Sequence, residues 1–117
     1  MDADTRACVA YIATKLISGG GASSVFDHSR GRHKNVSGSV SASSVAVFDH
    51  DRGAHVSGSG SSFFDHQRGA HISMTINGLS FTGFDHGSGQ HFSGNVTGSG
   101  SVAIFDHGAG SHFNYTV

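Results

Sequence analysis

Apolar residues follow two different periods along this chain. Over residues 4–18, Val9, Ile12, Ala13, Leu16 and Ile17 recur at i, i+3, i+4, i+7 and i+8, the one-sided stripe of an α-helix. Asp2 or Asp4 suits the N-cap, Lys15 suits the last turn, and Gly19, Gly20 and Gly21 stop the helix. The polar face is poor in Lys and Arg, so the helix is expected to pack on the protein's own sheet and not on a membrane surface. Cys8 is expected to be a small buried or half-buried hydrophobe.

From residue 23 onward the pattern shortens to strand-like runs around Phe-Asp-His-x-x-Gly-x-His, which occurs five times. The copies are Phe26-Asp27-His28 with Gly31 and His33, then Phe48-Asp49-His50 with Gly53 and His55. Phe64-Asp65-His66 follows with Gly69 and His71, and Phe84-Asp85-His86 with Gly89 and His91. The last is Phe105-Asp106-His107 with Gly110 and His112. Strand formers flank x-x-Gly, which predicts a three-residue hairpin loop with the glycine in the left-handed region. In that register Asp27 faces His33, and the equivalent Asp faces the second His in every repeat. Phe48 then faces Val56, Phe64 faces Ile72, Phe84 faces Phe92 and Phe105 faces Phe113, with Lys34 the polar exception opposite Phe26. Since side chains alternate, Phe and the first His share one face, and Asp and the second His share the other. The Phe residues are expected to be largely buried.

Between repeats the chain turns again. Asn77-Gly78 between alternating apolar residues is the sharpest hairpin signal, and Ser37-Gly38-Ser39, Ser57-Gly58-Ser59-Gly60 and Thr97-Gly98-Ser99-Gly100 act similarly. The expected fold is mainly β in a single domain, 1–117, with a helix and Gly cap over 1–21 and five β-hairpin repeats over 22–117. The hairpins form an antiparallel meander, rolled into a barrel or folded into a sandwich, with the helix covering an open face or end. The alternative is a β-solenoid capped by the helix. At the level of repeat length, residues 23–117 resemble curli-type bacterial amyloid subunits, which implies stacked strand–turn–strand coils. Their Gln/Asn ladder positions are missing, with only Gln67 and Gln90 present.

Composition narrows the function. Seven Lys and Arg against eight Asp give a net charge of −1 and no electrostatic footprint for nucleic acid. The one Cys cannot form an internal disulfide, and no apolar run approaches the roughly 20 residues of a membrane span. The start, MDADTRA, is acidic where a secretory signal would be basic, so as given the chain reads as cytoplasmic. Without Pro to blunt its sheet edges, pairing with another chain is open to it.

All ten His and five of the eight Asp lie in the repeat, which concentrates any chemistry there. Five near-copies do not make the one asymmetric constellation that catalysis needs, so no enzyme activity is expected. The leading expectation is a non-enzymatic β-repeat module with a structural or binding role, self-association included, that uses no cofactor. The Asp then braces the facing His or the turn amides. The alternative is a divalent-metal-binding protein that holds Zn²⁺, Ni²⁺ or Cu²⁺ through Asp27, His33, Asp49, His55, Asp65, His71, Asp85, His91, Asp106 and His112. Arg30, Arg52 and Arg68 recur at one turn position and read as a solvated rim, or as an anion site.

Overall fold

The structure is a computed structural model that describes residues 1–19, 24–97 and 100–117. Gly20 and Gly21 of the expected helix stop and Gly98 and Ser99 of the expected last turn lie outside the described residues.

Helix α1 runs from Ala3 to Ser18. Asp2 caps it by accepting the Thr5 amide at 2.7 Å, and Gly19 ends it at φ 71° with its amide donating to the Lys15 carbonyl. Ten strands follow: β1 (Ser24–Asp27), β2 (Arg32–Val40), β3 (Val45–Asp49), β4 (Ala54–Gly58), β5 (Ser62–Asp65), β6 (Ala70–Asn77), β7 (Ser80–Asp85), β8 (Gln90–Val96), β9 (Ser101–Asp106) and β10 (Ser111–Thr116). Each pairs antiparallel with its chain neighbours, and β1 closes on β10 through Phe26↔Thr116 and Asp27↔Tyr115. The meander is therefore a closed barrel. Neither the solenoid nor the coil stacking of the curli-like reading occurs, and closure leaves the ten strands without a free edge for another chain.

The helix packs against the inner face of its own sheet and does not cover an open face or end. It runs through the barrel, and every residue from Thr5 to Thr14 is buried. Its polar positions allow this because they are satisfied inside. Thr14 Oγ1 donates to the Ala10 carbonyl, and Thr5 and Arg6 bond to barrel side chains. Around the helix the inward strand positions form the core, with Val25, Val36, Val47, Val56, Phe63, Ile72, Phe81, Phe92, Val96, Val102, Ile104 and Tyr115 almost fully buried. Two inward glycines make room for rings: Gly83 sits across from Phe92, and Gly94 across from Phe81. Outward positions are mainly Ser, Thr, Asn and His, so the barrel carries its apolar face inside.

The repeat hairpins differ from the expected register by one residue. Asp27 pairs with Arg32 and Phe26 with His33, leaving a four-residue loop, His28–Gly31. The same register recurs, with Phe48↔His55, Phe64↔His71, Phe84↔His91 and Phe105↔His112. Gly31, Gly53, Gly69, Gly89 and Gly110 take φ between 63° and 71°, as their loop position requires. The cause of the shift is the Asp. Asp65 Oδ1 accepts the Gln67 and Arg68 amides at 3.1 and 3.3 Å, while its carbonyl accepts the Gly69 amide at 2.8 Å. This cap lengthens the loop to include the first His. Slipping the register by one residue exchanges the faces of one strand's side chains relative to the other.

At the other end, the Asn77-Gly78 hairpin turns on Gly78, at φ 63°, and Leu79, with Asn77 still paired to Ser80.

Candidate functional site: an inward Asp ring and an outward His and Phe belt

The repeat builds two concentric features at the end of the barrel that holds the helix N-terminus. Inside, Asp27, Asp49, Asp65, Asp85 and Asp106 are almost fully buried and form a ring of carboxylates. Each has one oxygen on its turn and turns the other toward a cation or hydroxyl. Arg30 Nε lies 2.6 Å from Asp27 Oδ2, and Arg52 Nε 2.5 Å from Asp49 Oδ2. Arg52 also reaches Asp65 with Nη1 at 3.0 Å, and Arg68 Nη2 reaches Asp85 at 2.8 Å. Arg52 and Arg68 thus stitch one repeat to the next, while Arg30 ties Asp27 to Asp4 of the helix. In place of the expected solvated rim, these side chains are at most partly exposed and pair with the protein's own carboxylates.

Where the later turns lack Arg, other groups serve. Ser88 Oγ donates to Asp85 Oδ2 at 3.0 Å. Arg6, from the helix, donates to Asp106 at 2.9 Å and to the Tyr115 hydroxyl at 2.9 Å, and its guanidinium stacks 3.4 Å above the Phe113 ring. Thr5 Oγ1 donates to Asp65 Oδ2 at 2.7 Å. Lys34, the polar exception in the repeat, is fully buried and bridges Asp49 at 2.7 Å and Asp4 at 2.9 Å.

Burial works to raise the carboxyl pKa values of Asp27, Asp49 and Asp85, yet all three lie below the ordinary value. Hydrogen bonds from Ser29 and Arg30, from Lys34 and Arg52, and from Arg68 respectively outweigh the desolvation. Cys8 is buried against this ring, its Sγ 3.7 Å from Asp49 Oδ2. Burial first, and the Asp49 charge second, push its thiol up to about 12. That is the opposite of an activated thiolate.

Outside, the same repeats form a belt. Phe26, Phe48, Phe64, Phe84 and Phe105 face outward and are half-buried, not part of the core. Each lies between the two His of its own repeat, with ring centroids 4.7 to 4.9 Å apart and mostly edge-to-face geometry. All ten His are exposed. The first His of four repeats reaches a hydroxyl on the neighbouring strand: His28 Nε2 to Thr116, His50 to Ser37, His66 to Ser57 and His86 to Ser73, at 2.6 to 3.3 Å.

The structure therefore separates the residues of the expected Asp–His pairs. Asp27, Asp49, Asp65, Asp85 and Asp106 point into the barrel, whereas His33, His55, His71, His91 and His112 point out. Among the described residues, no group of three or more His, Cys and Asp is placed to hold a metal ion. The ionic ring was hidden from a reading of strand periods because its cations come from turns and from the helix. Two signals of it are legible in the sequence: Arg30, Arg52 and Arg68 at one turn position, and Lys34, a lysine where the other repeats carry Val56, Ile72, Phe92 and Phe113.

The fold and site together define a class: an up-and-down ten-stranded barrel plugged by its own N-terminal helix, with charge inside one end and aromatic rings outside it. Compared with known proteins, the chain matches no family model, and neither a curated protein nor a solved structure is significantly similar to it. Among the described residues, no helix is long and apolar enough to cross a membrane.

Proposed function

We propose that this protein is a non-enzymatic binding module whose working surface is the outer belt, and that it associates with further copies of itself there. The observation that carries this reading is the division of labour across the barrel wall. The lumen is occupied by the helix, and the inward Asp ring is tied up by Arg6, Arg30, Lys34, Arg52, Arg68 and Thr5. Outside, five Phe rings with flanking imidazoles present repeated, partly apolar contacts that stay accessible. Apolar groups arranged in a patch favour association, and a net charge of −1 offers little repulsion against it.

Sedimentation equilibrium from micromolar to millimolar protein tests the proposal. The weight-average mass should rise with concentration in the wild type and stay monomeric in Phe64→Ser/Phe84→Ser, whose circular dichroism should be unchanged. A wild type that remains monomeric throughout, or a variant that associates equally well, would overturn it.

A further inference from the structure

The strand register brings histidines of different repeats together. One step beyond Val56↔Asp65, His55 stands directly opposite His66, and the His66 amide donates to the His55 carbonyl at 3.0 Å. The same step beyond Ile72↔Asp85 sets His71 against His86, with a backbone bond of 3.0 Å. Beyond Phe92↔Asp106 it sets His91 against His107, at 3.1 Å. The two remaining junctions break the pattern: His50 bonds to Asn35, and His28 to Asn114. The backbone thus sets the second His of three repeats beside the first His of the next, each ring resting on the Phe of its own repeat, while His28, His33, His50 and His112 have no such neighbour.

We propose that His55–His66, His71–His86 and His91–His107 are two-imidazole sites for a divalent transition metal ion of the Cu²⁺, Ni²⁺ or Zn²⁺ class. Residues directly opposed on one face of an antiparallel pair have Cβ atoms roughly 5 Å apart. That spacing lets two imidazoles converge on one ion at about 2.0–2.1 Å each. Imidazole is a preferred ligand for these metals, whereas the hard cations Mg²⁺ and Ca²⁺ take oxygen. The hydroxyl contacts add orientation. Ser57 and Ser73 meet Nε2 of His66 and His86, so an Nε2–H donated to either oxygen leaves Nδ1 with the lone pair that a metal needs. Water fills the remaining coordination positions on this exposed surface. The inward Asp ring takes no part, and the proposal needs only one copy of the chain, so it stands apart from self-association.

The test uses tag-free protein diluted to where sedimentation reads monomer, with Cu²⁺ and then Ni²⁺ as the probes. Sub-stoichiometric Cu²⁺ should broaden the ring resonances of the six paired His before those of His28, His33, His50 and His112. Calorimetric titration with Ni²⁺ should find three sites. His55→Gln/His71→Gln/His91→Gln, which halves each pair, should weaken binding by tenfold or more on the loss of two-point attachment. His28→Gln/His33→Gln/His50→Gln removes as many imidazoles and should leave the affinity unchanged. Uniform broadening of all ten His, or equal losses in the two triple variants, would overturn the proposal. If the first variant does not fold, the order of broadening in the wild type decides.

Discussion

Lys34 Nζ lies 2.7 Å from Asp49 Oδ2, and both side chains are fully buried. Arg52 Nε meets the same oxygen at 2.5 Å, so one carboxylate holds two cations inside the barrel end. A buried ion pair is often no more stable than an apolar pair of the same volume, but removing one partner strands the other. Asp49→Ala is therefore expected to lower stability by about 3–5 kcal/mol, since it leaves Lys34 and Arg52 short of a counter-charge. It also removes the cap on the Asp51 and Arg52 amides. Lys34→Met should be milder, because Arg52 still neutralises Asp49 and Arg30 still meets Asp4. Urea melts measure both, and equal losses in the two variants would contradict the shared-carboxylate arrangement.

Acid should act on the fold through three carboxylates of the ring. Asp27, Asp49 and Asp85 have folded pKa values below their ordinary 3.8. As pH falls, the unfolded chain takes up these protons first, so protonation favours unfolding. The stability these groups contribute is complete above about 3.8 and is lost as pH falls through their lower folded values. Denaturant melts from pH 5 downward should show a decline that begins near this value. In Asp85→Asn the decline should be shallower, because one of the linked protons is gone. An unchanged slope would mean that Asp85 is not part of the linkage.

The thiol gives the opposite sign. Cys8 has an ordinary value of 9.0 and is pushed up to about 12, so its contribution is complete below 9.0 and is lost as pH rises toward the folded value. Between pH 9 and 10 this loss should be visible before Tyr115, whose ordinary value is 10.0, adds its own. Cys8→Ala should flatten stability in that window. At pH 8, labelling of Cys8 by a thiol reagent should proceed only as fast as the barrel opens. Rapid labelling of the folded protein would place the thiol outside the core.

Two glycines make different demands. A Cβ on Gly69 would meet nothing, so Gly69→Ala carries only the strain of φ 64°, about 1–2 kcal/mol. A Cβ on Gly83 would run into the Phe92 ring and the Ser73 carbonyl. Gly83→Ala should therefore be more damaging, by about 1–3 kcal/mol. Combined with Phe92→Leu, its effect should be less than additive, because the smaller side chain gives back space. Strict additivity in that double-mutant cycle would show that the two residues do not share a volume.

The outline of this fold can be read from periodicity, and its inside cannot. The helix period over residues 4–18, the glycine at each turn and the alternation in each strand lead to one helix and ten antiparallel strands. Periodicity does not say where an amphipathic helix docks. Thr5, Arg6 and Thr14 look like a solvent face until their partners, Asp65, Asp106 and the Ala10 carbonyl, are known. Nor does it fix register, which turns on one detail. A three-residue loop fits the glycine as well as a four-residue loop does, and only the carboxylate capping the amides two and three residues on separates them. That single residue moves Phe from core to surface and parts each His from its Asp.

The neighbours Phe63 and Phe64 make this register measurable. On β5 they point to opposite sides of the wall: Phe63 is 1% exposed and pairs with Ile72, while Phe64 pairs with His71 and lies half-buried between imidazoles. With Phe64 facing Ile72, as the three-residue loop requires, Phe64 would be the core residue of the two. The barrel predicts the reverse. Phe63→Ala should lower stability by about 3–5 kcal/mol, the loss typical of a buried ring. Phe64→Ala should lower it by less than about 2 kcal/mol, because the ring already meets water and gives up mainly its edge-to-face contacts. Denaturant melts of the two variants decide between the registers, and a larger loss from Phe64→Ala would return the aromatic belt to the interior.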